Sequence, residues 1–579
     1  MSGMHHSPRA RAAACQWVTL LLALGLAACS GPVEVAEEAP WSASGREGVV
    51  AAAHPDAVRA GLDVLAAGGS AVDAAVAVQF VLGLVEAPET GPGGGGFLLH
   101  YHAASGRLEV FDGRETAPAG TSAEAFSWFG GRALPHALAV TSGRAVGVPG
   151  LVAMLGEAHV AHGRRPWSEL LAPAIALAEQ GHPPAPRLRR QLRGDPSLWF
   201  FPDLRAYFFR WPWRPAATLQ DPQATATLST LAEQGPAAFY QGEIAETIAA
   251  RASAGVWRAG ALTAEDLAGY RVETREALCQ RYREWRVCGA PPPSSGGLAV
   301  LQVLGILEHF PMAELAERRA EAIHLVAEAS RLAFADRAAW VGDPEFVEVP
   351  VARLLAPDYL AQRAALIERT QARPAVTHGH EIDSGGTSHF TIIDAAGNIA
   401  AVTSSIEAPF GSRRRAAGFL LNNQLTDFDF IAPDDPALAG LSPANLAAPG
   451  KRPRSSMSPI IVFAADDTPV LAFGARGGSR IIGHLVRVLI AVLDWELPLE
   501  EAFAEGNFLH RGEHLELERG SQAAAEADRL RAYGHRLRQA PMPSGLHGIE
   551  RAPDGWRGAA DPRHDGTARA VDRGVIIAP

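Results

Sequence analysis

The hydrophobic pattern of this chain changes period near residue 386, and that change limits the fold more than any other feature. From about residue 150 to 380 the pattern is largely helical, with proline-rich breaks such as residues 291–297. Beyond 386 it becomes strand-like. Residues 389–394 and 399–404 read as a β-hairpin around Ala395-Ala396-Gly397-Asn398. Further strands are expected at 419–422, 459–463 and 470–473, then a long amphipathic helix over 479–495. Near the N-terminus, 49–53 reads as a strand and 55–67 as a helix with Val58, Leu62 and Leu65 on one face. Ser70 and Asp73 form a capping-box-like start to a second helix running through 85, followed by strands at 97–102 and 108–112. The reading is a sheet-rich C-terminal third joined to a helix-rich remainder, an α/β or α+β layered fold.

Composition removes several classes. A chain of 579 residues with 47% hydrophobic and 20% charged content buries a large core and divides into more than one domain or lobe, which excludes disorder. Long apolar runs are too few for a multispanning membrane protein. The net charge of −11 and the lack of a basic run interleaved with aromatics argue against a nucleic-acid partner. Of the 52 basic residues that are Lys or Arg, one is lysine, Lys451.

Residues 1–28 read as an export signal, with Arg9 and Arg11 ahead of an apolar stretch at 17–26 that is too short to anchor in a bilayer. It ends Leu26-Ala27-Ala28-Cys29, which resembles a bacterial lipobox, so Cys29 is expected to carry lipid and 29–44 to be a polar tether. An ordinary signal cut after an A-x-A-like site is the alternative. The expected location is the surface of a bacterial membrane, facing the periplasm. Cys279 and Cys288 remain after Cys15 leaves with the signal. A two-residue turn at Arg283-Glu284 would set 282 opposite 285 and 279 opposite 288, a pair that a disulfide can join. Two reduced, buried thiols are the other possibility.

Familiar catalytic motifs are missing: there is no G-x-S-x-G elbow, H-E-x-x-H or Walker A. Gly93 to Gly96 lack the Lys-Ser/Thr that phosphate binding needs, and suit tight turns instead. His378 and His380 have no further ligands at plausible spacing, so no metal and no cofactor is expected. What remains is a cluster of hydroxyl, amide and glycine motifs: Gly385-Gly386-Thr387-Ser388-His389, Thr403-Ser404-Ser405-Ile406-Glu407, and Asn422-Asn423-Gln424-Leu425-Thr426-Asp427. Lys451-Arg452-Pro453-Arg454-Ser455-Ser456 and Gly474-Ala475-Arg476-Gly477-Gly478 follow.

In that order, and with Gly68 to Ala75, Gly94 to Phe97, Asp112 to Glu115 and Pro291 to Gly297 upstream, these motifs resemble the γ-glutamyltransferase (γ-glutamyltranspeptidase) family of N-terminal nucleophile hydrolases. The resemblance implies an α+β, four-layer αββα sandwich formed by two chains from one precursor. It places self-cleavage between Gly386 and Thr387, giving a large chain (45–386) and a small catalytic chain (387–579) that stay paired. A freed α-amino group would then serve as base for the Thr387 hydroxyl.

The remaining roles are implied in the same way. Ser405 would orient the nucleophile, and the amides of Gly477 and Gly478 would form an oxyanion hole. Arg114, Ser455 and Ser456 would hold a substrate α-carboxylate, and Gln424 and Asp427 its α-ammonium. Glu407 stands where studied transpeptidases carry asparagine, and the segment 430–449 lacks the tyrosine that covers the donor pocket. The implied partners are a small γ-glutamyl donor such as glutathione, and water or an amino acid or dipeptide as acceptor. A glutaryl-cephalosporin-type acylase, or a binding lipoprotein without turnover, are the alternatives.

Overall fold

The computed structural model describes residues 42–127, 133–210, 213–254, 259–373, 386–430, 444–553, 555–572 and 575–577. The export signal, Cys29, His378 and His380 lie outside them. So does most of the expected tether, but its last residues belong to the fold: Ser42–Gly45 is a strand paired with Gly555–Ala560, which corrects the boundary drawn at 44.

Two antiparallel sheets form the centre. One has eight strands in the order Val575–Ile577, Thr567–Asp572, Gly48–Ala52, Gly386–Asp394, Ile399–Glu407, Gly95–His102, Arg107–Gly113 and Glu273–Glu276. The other has seven, in the order Ser42–Gly45, Gly555–Ala560, His547–Ala552, Pro469–Gly474, Ile460–Phe463, Trp285–Gly289 and Leu278–Tyr282. Neither belongs to one end of the chain, since Gly48–Ala52 pairs with Gly386–Asp394 on one side and Thr567–Asp572 on the other. The helix-rich remainder and the sheet-rich third therefore share both sheets in space. Local period reveals a strand but not its partner.

Alternation along the central hairpin sets the layers. Phe390, Ile392, Ala400 and Val402 pack with helices Pro55–Ala66, Ala71–Val85 and Leu151–His162 on the outer face of the eight-stranded sheet. Ile393 and Ile399 point the other way, into a core shared with the seven-stranded sheet and helices Ser295–Leu307, Arg319–Trp340 and Arg480–Leu493. The result is helix, sheet, sheet, helix, an α+β sandwich. By the same parity Thr387, His389, Thr391 and Ser405 face the second sheet, and Thr391 Oγ1 reaches the His547 carbonyl at 3.4 Å.

The local signals are realised in detail. Ser70 and Asp73 make a reciprocal capping box, at 3.1 and 2.8 Å, for a helix that is buried on every side. Leu278–Tyr282 turns into Trp285–Gly289 with Arg283 in the left-handed region (φ 56°). Cys279 lies opposite Cys288, Cα to Cα 4.1 Å, and a disulfide joins them. The strand expected at 419–422 is only Phe419–Leu420, because the backbone amides of Asn422 and Asn423 leave the ladder for the carbonyls of Gly93 and Ile406. Among the described residues no helix is long and apolar enough to cross a membrane.

Candidate active site

Gly386 and Thr387 open the central hairpin at an irregularity in its register, Gly386 opposite Glu407 and Thr387 opposite Ser405. A Cβ on Gly386 would fall 2.3 Å from the Glu407 carbonyl oxygen, so only glycine fits the close approach of the two strands. A hydroxyl offers one proton and two lone pairs, and Ser405 uses all of them. It donates to the Gly386 carbonyl oxygen, accepts the Glu407 N–H at 2.8 Å, and accepts the Thr387 hydroxyl at 3.3 Å. Thr387 and Ser405 are both buried. One side chain therefore polarises the carbonyl before Thr387 and steers the Thr387 oxygen beside it.

Between Ser405 and Arg114 lie two hydrogen-bonded groups that are neighbours along the chain, one around Asn423 and one around Asp427. Glu407 is buried, with φ at 79°, and its carboxylate accepts from Asn423 Nδ2. Asn423 also donates to Thr426 Oγ1 at 3.0 Å and accepts the Ala408 N–H at 2.9 Å. Gln424 Nε2 donates to Asp427 at 3.1 Å, and Arg114 Nη2 donates to the same Asp427 oxygen at 2.5 Å. The Arg114 guanidinium is fully buried and is also held by the carbonyls of Pro453 and Arg454, each at 3.0 Å. Beside it, 3.6 Å away, lies the Glu115 carboxyl. Burial pushes that carboxyl up to about 8 against the pull of Arg114, and neither of its oxygens has a hydrogen-bond partner.

The structure brings Arg114, Gln424 and Asp427 into one hydrogen-bonded group, with Arg114 and Asp427 paired to each other, and sets Glu407 in the neighbouring one. Ser455 and Ser456 directly follow the carbonyls that Arg114 holds. Ser455 Oγ accepts the Met457 N–H at 3.1 Å, and Ser456 Oγ accepts from Arg337 at 3.1 Å. The Pro-Ser-Ser segment fixes this loop: the Ser295 N–H bonds the Ser455 carbonyl at 2.7 Å and the Ser294 hydroxyl the Met457 carbonyl at 2.5 Å. Lys451, which the sequence sets beside the serines, turns instead to the Ala444 carbonyl at 2.8 Å. Its buried ammonium braces the chain.

Gly477 and Gly478 have φ of 120° and 57°, a path that favours glycine, immediately before helix Arg480–Leu493. Among the described residues neither amide donates to a backbone carbonyl, and both lie at the positive end of the helix. Arg476, just before them, ion-pairs with Glu89 at 2.6 Å, and the Glu89 carbonyl accepts the Ile406 N–H at 3.2 Å. Glu89 therefore ties the glycine loop to the strand that carries Ser405. Neither Glu89 nor Asn423 was given a role from sequence. Asn423 lies within the 422–427 amide-rich motif, whereas Pro88-Glu89 carries no local signal.

A γ-glutamyltranspeptidase family model matches residues 57–571. The glutathione hydrolase proenzyme of Bacillus subtilis (strain 168) is 34% identical over 559 residues, covering 91% of this chain and 92% of that protein. The acylase ACY 1 proenzyme of Pseudomonas sp. (strain SE83) is 36% identical over 549 residues, covering 93% and 96%. The crystal structure of cephalosporin acylase from Bacillus halodurans superposes with a TM-score of 0.80 at 27% identity, over 94% of this chain and 99% of that one.

Proposed function

The chain belongs to the γ-glutamyltranspeptidase family, and on that premise we propose that it cuts itself before Thr387 and then hydrolyses or transfers γ-glutamyl groups from amides such as glutathione. In the uncut chain Thr387 Oγ attacks the Gly386 carbonyl carbon, the amide nitrogen leaves with a proton, and water opens the resulting ester. The products are a Gly386 carboxylate and a free Thr387 α-amino group. The observation that carries this reading is the Ser405 hydroxyl, which donates to the Gly386 carbonyl and accepts from Thr387. It stands where negative charge develops.

In the cut enzyme the α-amino group, with an ordinary pKa of about 7.7–8.0, is the base that takes the Thr387 proton. Oγ then forms an ester with the γ-glutamyl group, the amine departs with the proton, and water or an acceptor amine completes the turnover. The amides of Gly477 and Gly478 receive the oxyanion. Arg114 with Ser455 and Ser456 takes the α-carboxylate, and Asp427 with Gln424 the α-ammonium. A zwitterionic end carries both charges that Arg114 and Asp427 now neutralise in each other, so it can exchange into that pair without stranding a buried charge.

Similarity to the acylases favours a second reading, a glutaryl donor lacking the ammonium. Two carboxylates in these neighbouring groups, Glu407 and Asp427, weigh against it. A side-by-side assay of γ-glutamyl and glutaryl anilides, with and without a dipeptide acceptor, tests the choice. Faster glutaryl turnover overturns it. The same proposal places the enzyme on a bacterial membrane through lipidated Cys29, and Cys29→Ser should then release it to the soluble fraction.

A further inference from the structure

We propose that His100, Glu109 and His162 form a binding site for a divalent transition metal, with Zn2+ the best match, at the end of the eight-stranded sheet away from Thr387. His100 and Glu109 are cross-strand partners in the hairpin of Gly95–His102 and Arg107–Gly113, and His162 is the last residue of helix Leu151–His162. One ligand atom from each lies within 4.8 Å of the others. His100 Nδ1 is 3.8 Å from Glu109 Oε1, and His162 Nε2 is 2.5 Å from that same oxygen. A tetrahedral zinc with bonds of 2.0–2.2 Å sets neighbouring ligand atoms roughly 3.3–3.5 Å apart, between those two values.

A second observation points to a ligand. His100 is 2% exposed, yet its Nδ1 has no hydrogen-bond partner, an expensive condition unless something else satisfies it. Arg107 pairs with Glu109 Oε2 at 3.0 Å and leaves Oε1 facing the imidazoles. The three side chains leave the fourth position to water, with His102 at the rim of the site. Its Nδ1 bonds Ser105 at 2.7 Å, and its ring centre is 5.9 Å from that of His162.

A second cluster, His324, Glu328 and His535, is the weaker candidate: His535 Nδ1 is also buried without a partner, but the other ligand atoms are taken. Both His324 nitrogens are bonded, to His535 at 2.8 Å and the Glu368 carbonyl at 2.7 Å, and Glu328 is taken by Arg331 at 2.8 Å and the Arg373 N–H at 3.2 Å.

The role is structural. Gly95 lies opposite Ser405, and His100 is five residues further along the strand, about 16 Å away at 3.3 Å per residue. The metal would pin the far end of helix Leu151–His162, whose near end bonds the Gly94 carbonyl through the amides of Gly150 and Leu151, at 3.0 and 3.1 Å.

The test uses full-length protein stripped with chelator, titrated with Zn2+ by calorimetry and with Co2+ by visible spectroscopy. We expect one tight site per chain, a Co2+ spectrum of low coordination number, and a metal-dependent rise in Tm. Glu109→Gln and His162→Gln, each checked for an unchanged circular dichroism spectrum, should weaken Zn2+ by more than the roughly 10- to 100-fold that losing a supporting hydrogen bond costs. No tight site, binding that these variants leave intact, or binding removed instead by His535→Gln or His378→Gln would overturn the proposal. None of these readouts depends on activity before or after cleavage.

Discussion

Ser405 donates its hydroxyl proton to the carbonyl of Gly386, the residue on the far side of the bond proposed to break. Antiparallel register brings the two together, since Thr387 pairs directly with Ser405 across the central hairpin. The carbonyl to be attacked is therefore already polarised in the uncut chain.

Removing that donor should slow self-cleavage before it affects anything else. Ser405→Ala is expected to cut roughly 100- to 1,000-fold more slowly, about 2.7–4 kcal/mol in the barrier, as for other oxyanion donors. Ser405→Thr, which keeps the hydroxyl, should stay close to the parent. The rate at which two chains appear on a denaturing gel measures both. Equal rates for Ala and the parent would remove Ser405 from the chemistry.

Donor choice should follow the carboxylates. Asp427→Asn is expected to raise KM for a γ-glutamyl anilide roughly tenfold or more while changing a glutaryl anilide much less, because only the former presents an ammonium. Glu407→Asn should move the same ratio in the same direction, by less, since Asn423 already takes part of that carboxylate's charge. A uniform change on both substrates would show that neither acid reads the ammonium.

Glu89 should act through the glycine loop. Its carboxylate is bound by Arg476 at 2.6 Å, Arg187 at 2.7 Å and Gln191 at 2.9 Å. Glu89→Gln weakens the grip on Arg476 and should lower kcat about tenfold with little change in KM, the signature of an interaction made only in the transition state. A rise in KM alone would instead place Glu89 at the substrate.

Stability should fall as pH rises through the range where two buried acids hold their protons. Burial raises Glu86 and Glu115 from 4.5 to about 8 each, with Glu89 adding to the effect on Glu86. Between those values the folded chain binds more protons than the unfolded one, so unfolding free energy declines with pH, by at most about 1.4 kcal/mol per unit for each group. Glu115→Gln should flatten the curve relative to the parent. Urea unfolding of both in a Thr387→Ala background, from about pH 5 to about pH 8, measures the difference. Parallel curves would show that Glu115 ionises freely in the fold.

What the sequence made legible was local. The capping box of Ser70 and Asp73, the central hairpin and the Arg283 turn each follow from neighbours a few residues apart. The motifs that hold Thr387, Ser405 and Glu407 meet along the central hairpin, and those that hold Gln424, Asp427 and Arg114 meet in one hydrogen-bonded group. The rest depends on distant parts of the chain meeting. Arg476 and Glu89 are 387 residues apart, and His162 and Glu109 are 53 apart, so no window of sequence holds either pair. The same holds for Gly48–Ala52, whose period marks a strand without showing that it pairs with strands from the C-terminal part.

Intact mass and N-terminal sequencing of the purified protein test the central claim most directly. The parent should yield two chains, the smaller beginning Thr387-Ser388-His389, and Thr387→Ala should remain one uncut chain without activity. An active parent that stays in one piece, or a small chain that begins at any other residue, would contradict it.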